Sequence, residues 1–185
     1  MTNQTLCSIL TYSGQYVDLR EPNPETIQIV DIAHALSQIN RFGGHTRNFY
    51  SVAQHSVLVS HIVPREHRLA ALLHDAAEAY LGDIVMPLKR MAFNLEYRDM
   101  EDLLLEVILE RFGIVHSDYQ AARDAIRQAD LVMLATERRD LMHPDNQRWA
   151  VLDGVEPRSA TIRPLLPVPA EAAFLQRFKE LSGVL

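Results

Sequence analysis

Four titratable side chains fall within ten residues of the apolar segment LLHDAAEAYLGD: His74, Asp75, Glu78 and Asp83. Acids and imidazoles set among apolar neighbours cost free energy unless they are paired, hydrogen-bonded or bound to a metal. A histidine nitrogen beside an aspartate oxygen suits Mn, Fe, Co or Zn. As neighbours on a helix, His74 and Asp75 would point about 100° apart and could both reach one ion lying over it. A single His-Asp pair is common by chance. His55, in SVAQHSVLVSHI, and Asp130, in AIRQADLVMLA, make it more specific. Taken singly, His55 reads as a core histidine and Asp130 as a half-exposed helix residue. Together they give the order His, His-Asp, Asp on separate segments, which is a ligand pattern.

The elements that must position these residues are mostly helices. SILTYSGQYVDL alternates about Ser13-Gly14 and predicts a short β-hairpin. Ile32, Ala35, Leu36 and Ile39 share a helical face, with Asp31 as the expected N-cap. Ser51 followed by Gln54 reads as a capping box opening a helix that runs to about Val63 before Pro64. REHRLAALLHDAAEAYL predicts one continuous helix stopped at Gly82. A loop with a helical turn at Pro87 follows, in DIVMPLKRMAF. LEYRDMEDLLLEVILERF predicts an amphipathic helix ended by Gly113, and Ser117 with Gln120 a second capping box for a helix over 118–142. HPDNQRWAVLDGVEPRSATIRPLLPVP reads as an irregular drape, and AEAAFLQRFKEL as a final helix. The expected fold class is mainly α with a short N-terminal hairpin, one domain over 1–185: hairpin and loop at 1–25, helical core at 26–142, irregular segment and last helix at 143–185.

The order His55, His74-Asp75, Asp130 resembles the HD-domain superfamily of metal-dependent phosphohydrolases, whose H…HD…D ligands come from separate helices of a bundle. The resemblance spans roughly residues 40–140. It is closest to the bacterial 5′-deoxynucleotidases and to a related prophage and phage branch, which TYSG, FYSVAQHSVL, LKR and LATERRDL are like. It implies an HD-domain helical bundle with His55, His74, Asp75 and Asp130 as ligands of a divalent ion, Mn, Co, Zn or Mg. It also implies Glu78 and Asp83 as catalytic acid or base, in either assignment. Arg41 would contact substrate phosphate and Lys89, from LGDIVMPLK, would assist it. Phe42 stands where the nucleotidases carry Trp; it can wall off a sugar or base but lacks an indole N–H donor. His45, in the glycine-rich loop beside Arg41, is a further candidate for substrate contact.

The chemistry of a phosphate ester agrees with that set. The ester is anionic and repels hydroxide; a divalent ion acidifies water and neutralises a phosphoryl oxygen, and an arginine fork grips the phosphate. The resemblance, with this chemistry, implies a 5′-nucleotidase releasing phosphate from deoxynucleoside monophosphates. A phage-type dNTP triphosphohydrolase is the alternative, favoured if Arg47, Arg90 and His45 all line the pocket. A nucleotide-binding sensor without turnover is the second.

Bulk properties narrow the partners. The net charge of −6 over 185 residues speaks against coating a nucleic acid polymer, though not against a small anion in a locally positive pocket. A lone cysteine, Cys7, fits a reducing cytoplasm, and no leader or membrane span is expected. A homo-oligomer is expected from the resemblance. The other histidines read as structural (His34), off the ligand face (His61) or solvent-facing (His67, His116, His143). Trp149 reads as packing the late segment onto the bundle. Glu137 shares the helical face of Asp130, and Leu103, Leu104, Val107 and Ile108 form a core or subunit face.

Overall fold

A computed structural model describes residues 7–91 and 95–183. The extreme N-terminus, expected to carry no leader, the loop's end at Ala92 and Phe93, and the two last residues of the expected domain lie outside the described residues. The fold is mainly helical with a two-stranded antiparallel hairpin at its start.

Strands β1 (Ser8–Leu10) and β2 (Tyr16–Asp18) pair in the register Ile9↔Val17. Val17 points into the core. Asp31 does not cap the next helix. That helix, α1 (Ile29–Gln38), starts three residues earlier, with Gln28 at the cap position. Asp31 is buried in its first turn, where its carboxylate accepts from Ser13 N–H at 2.6 Å and Ser13 Oγ–H at 2.8 Å. The hairpin turn is thereby pinned to α1, because a buried carboxylate needs donors and the turn supplies two.

Helix α2 (Val52–Ser60) begins as expected: Ser51 Oγ accepts from Gln54 N–H at 3.2 Å. The reciprocal half of a capping box is not made. The Gln54 amide crosses the molecule, donating to Arg163 O and accepting from Leu165 N–H, both at 2.8 Å. The expected helix over 65–81 is broken. A 3₁₀ turn at Arg65–His67 leads into α3 (Arg68–Leu72), the chain runs through turns over 73–77, and α4 (Glu78–Leu81) follows. Within the break, amide bonds reach only three residues back, Ala76 N–H to Leu73 O and Glu78 N–H to Asp75 O. This tighter winding changes the direction in which His74 and Asp75 leave the backbone.

Helix α5 (Met86–Lys89) is the turn expected at Pro87. Helix α6 (Leu95–Arg111) buries Leu104 and Ile108 while Leu103 stays largely exposed. Helix α7 (His116–Leu141) starts two residues before the expected point, with Val115 as its cap position, so no Ser117 capping box forms. Helix α8 (Pro167–Ser182) also starts earlier than expected. Its first-turn prolines lack N–H groups that the first turn does not use. It packs on α1, α2 and α3.

Residues 142–166 form the expected drape, with one 3₁₀ turn at Ala150–Leu152. Polar side chains of the helices hold it: Asp140 accepts from Ile162 N–H, Thr136 Oγ accepts from Arg158 N–H, and Arg139 donates to Arg158 O and Ala160 O. Among the described residues no helix is long and apolar enough to cross a membrane.

Candidate metal centre and substrate cavity

The centre begins with His55 in the middle of α2, wholly buried. Its Nδ1–H donates to Glu137 Oε1 at 2.6 Å, which turns Nε2 toward the space between α2, the 73–77 break and α7. His74 is set the same way by a local bond, its Nδ1–H donating to Ala71 O at 2.8 Å. In both rings the bond at Nδ1 leaves Nε2 as the nitrogen that can ligate a cation once it carries no proton. Both Nε2 atoms are buried without a hydrogen-bond partner. Asp130 Oδ1 lies 3.2 Å from His55 Nε2 but off the hydrogen-bonding direction. One ligand atom from each of His55, His74 and Asp130 lies within 4.8 Å of the others, so this group could hold a metal ion. Asp75 Oδ2 adjoins it, 3.3 Å from His74 Nε2 and 3.6 Å from His55 Nε2. Orphaned imidazole nitrogens facing carboxylates fit a cation better than a packed core, where such atoms would stay unsatisfied.

The electrostatics follow from the crowding. For His55, burial and the Arg41 charge pull the pKa down, but the carboxylates of Glu137 and Asp130 outweigh them and push it up to about 9. Burial pushes Asp75 and Asp130 up, yet the neighbouring imidazoles and Arg41 hold both below the usual carboxylate range. Glu78 goes the other way: burial, then Asp75 and Asp83, raise its pKa well above the ordinary value. Asp83 is also raised, mainly by burial.

A cavity of about 580 Å³ opens onto this centre. Of the ten residues expected at the site, eight line it: Arg41, Phe42, His45, Asp75, Glu78, Asp83, Lys89 and Asp130. His55 and His74 stand behind the two aspartates. Arg41 lies along the carboxylates, 3.4 Å from Asp75, 3.3 Å from Glu137 and 3.9 Å from Asp130. It leaves a 3₁₀ turn, Arg41–Gly44, in which Phe42 takes a left-handed φ of 56° and Gly43 and Gly44 follow at 58° and 82°. That reversal explains the glycine pair: two further positive φ angles are cheap only without a Cβ. Lys89 also lines the cavity, with its ammonium shared between Glu78 at 3.2 Å and Glu101 at 2.7 Å. Arg90 also lines the cavity, whereas Arg47 does not; it donates to Asp140 O and ties its loop to the end of α7.

Sequence reasoning gave Tyr50 and Glu101 no site role, placed Glu137 only on the face of Asp130, and read Trp149 as packing with a ligand wall as the alternative. Glu137 is fully buried and receives Tyr50 O–H at 2.9 Å as well as His55. Its spacing of two helical turns from Asp130 was the available signal. Trp149 lines the cavity, with the Arg138 guanidinium 4.7 Å from its ring centre. It arrives from the drape, and no local pattern could place it there.

Two proteins share the sequence over almost its whole length. The uncharacterized protein YfdR of Escherichia coli (strain K12) is 44% identical over 175 residues, covering 94% of this chain and 95% of that protein. The uncharacterized protein RCAP_rcc00048 of Rhodobacter capsulatus is 35% identical over 188 residues, covering 92% and 95%. No family model matches the chain.

Proposed function

The chain belongs to one family with YfdR and RCAP_rcc00048, and we propose that it is a divalent-metal-dependent phosphohydrolase of the HD-domain type, a 5′-nucleotidase acting on deoxynucleoside monophosphates. One observation carries this reading. Two buried imidazole Nε2 atoms without partners meet Asp130 and Asp75 beside a cavity whose lining carries both cationic and apolar side chains. The apolar ones, Phe42, Val85, Leu134, Met142, Trp149 and Val151, suit a nucleoside; the cationic groups suit its phosphate.

A bound Mn, Co, Zn or Mg ion supplies charge neutralisation at the phosphoryl group and acidifies water there. The side chains do the rest. Arg41, buried against three carboxylates yet facing the cavity, keeps its charge at all physiological pH and presents a fork to phosphate oxygens. Glu78, whose pKa burial, Asp75 and Asp83 raise well above the ordinary value, has an Oε2 without a partner and is suited to hand a proton to the departing nucleoside oxygen. Lys89, fixed by Glu101, sits beside Glu78 Oε1 and favours the carboxylate that remains after the proton has left. Arg90 and His45 on the cavity wall support a second reading, hydrolysis of deoxynucleoside triphosphates, for which the third cation looked for, Arg47, is turned away.

The test is phosphate or triphosphate release from panels of dNMPs and dNTPs with Mn²⁺, Co²⁺, Zn²⁺ or Mg²⁺. Orthophosphate from dNMPs supports the first reading, and inorganic triphosphate from dNTPs the second. Metal binding with no turnover on either panel would move the protein to the nucleotide-binding sensors.

A further inference from the structure

Glu137 meets three donors from three parts of the chain and shows no surface. Its Oε1 accepts from His55 on α2 and from Tyr50 just before it; its Oε2 accepts from Arg41 Nη2 at 3.3 Å. We infer that Glu137 is a positioning residue that ties the cation ligand His55 to the phosphate-holding Arg41, so that one buried carboxylate sets both binding events. This rests on the phosphohydrolase reading.

The chemistry of the acceptor carries the inference. A carboxylate accepts at both oxygens and brings no hydrogen of its own. Held at Nδ1, His55 must present Nε2 as a lone pair to His74 and Asp130. Held at Nη2, the Arg41 guanidinium lies with Nη1 3.4 Å from Asp75 Oδ2, at the cavity wall. The guanidinium is thus held between Glu137 and Asp75, while its buried Nε has no partner. Moving the Glu137 carboxylate therefore turns the imidazole and, together with it, removes one of the two holds on the guanidinium. A glutamine in its place has one accepting oxygen, and its N–H₂ confronts whichever donor remains. Tyr50 shares Oε1 but belongs neither to the cation group nor to the cavity lining, and its contact with Arg41 is through its backbone O, which accepts from Arg41 N–H at 3.0 Å and does not depend on the side chain.

The experiment compares the full chain with Glu137→Gln, Glu137→Asp and Tyr50→Phe. Mn²⁺ affinity is read by equilibrium dialysis, and inorganic phosphate affinity at saturating Mn²⁺ by calorimetry. With the far-UV circular dichroism of the wild type, Glu137→Gln is expected to weaken Mn²⁺ by about 10- to 100-fold and phosphate by about fivefold or more. Tyr50→Phe leaves both near wild type. Loss of only one affinity, or of neither, overturns the coupling, and so does an equal loss of both in Tyr50→Phe. Should glutamine prevent folding, Glu137→Asp carries the same test: its carboxylate is one methylene too short to span both partners, so both affinities fall together, and either one staying at wild type sinks the idea. If the unaltered chain binds no Mn²⁺, the phosphohydrolase reading falls as well. If it binds Mn²⁺ and phosphate and the Glu137 variants match it, only the coupling falls.

Discussion

His55 and His74 face one another with ring centres 5.5 Å apart, each bonded at Nδ1 and each with a buried Nε2 that nothing satisfies. His55 lies in α2 and His74 in the break between α3 and α4, 19 residues apart in sequence. The identical use of Nδ1 in both rings converts two ordinary histidines into a pair of lone-pair donors aimed at one point. The metal reading depends on that relationship more than on the motif.

The first prediction follows directly. Replacing His55, His74 or Asp130 by alanine removes one ligand from a group with few to spare, and Mn²⁺ affinity falls by about two orders of magnitude or more, since each tenfold is 1.4 kcal/mol. Equilibrium dialysis followed by elemental analysis measures it. Unchanged metal content in any of the three would exclude that residue from the centre.

Acidity should oppose the cation. The metal-free protein keeps a proton on His55 up to about pH 9, against an ordinary histidine value of 6.5. An incoming ion must displace that proton, so Mn²⁺ affinity rises with pH by up to about tenfold per unit below pH 9 and levels off above it. Folding shows the opposite sign. A raised pKa stabilises the metal-free fold fully below 6.5, and that contribution is lost as pH rises through 9. Urea melts of the metal-free chain at pH 6.5 and 9 would show it; a metal-free fold that gains stability over this interval contradicts the assignment.

Gly43 tests the turn that carries Arg41. Its φ of 58° lies in the left-handed region, and a Cβ there would meet Val85 Cγ1 at 3.5 Å, an ordinary contact. The cost of Gly43→Ala is therefore backbone strain, about 1–2 kcal/mol. A drop of that size in the urea midpoint at constant slope is expected, with full occupancy by metal at saturating Mn²⁺, because no ligand of the ion lies in this turn.

Gln54 tests the hold on the drape. Its buried amide makes two bonds to 163–165, and Gln54→Ala leaves Arg163 O and Leu165 N–H to find water. The loss is about 2 kcal/mol. Amide exchange at Leu165 and proteolytic nicking within 142–166 rise together. Metal affinity stays as it was, since His55 lies one residue on and points away from this contact toward Glu137.

Much of the architecture was readable because it is local. Alternation about Ser13-Gly14 sufficed for the hairpin, apolar spacing for α1 and α6, and the Ser51 cap for α2, while α7 was read from a Ser117 box that does not form. The misreading at 65–81 has a physical source. An alanine-rich apolar run looks helical whether its amides reach four residues back or three, and the break comes from where His74 is held, on the Ala71 carbonyl. Asp31 and Gln54 misled for a related reason. Each has the side chain of a helix cap, but each finds its partner far along the chain, at Ser13 and at 163–165.

The sequence by itself determined the helical class and the identities and order of His55, His74-Asp75 and Asp130, because residue type and period are properties of short segments. Only the tertiary structure decided that those atoms converge, that Arg41 lies across the same carboxylates, that Lys89 is shared between Glu78 and Glu101, and that Trp149 closes the cavity from the drape. Those relations join residues tens of positions apart, and their distances are set by how helices pack and which buried acceptors the donors reach, which no local pattern encodes.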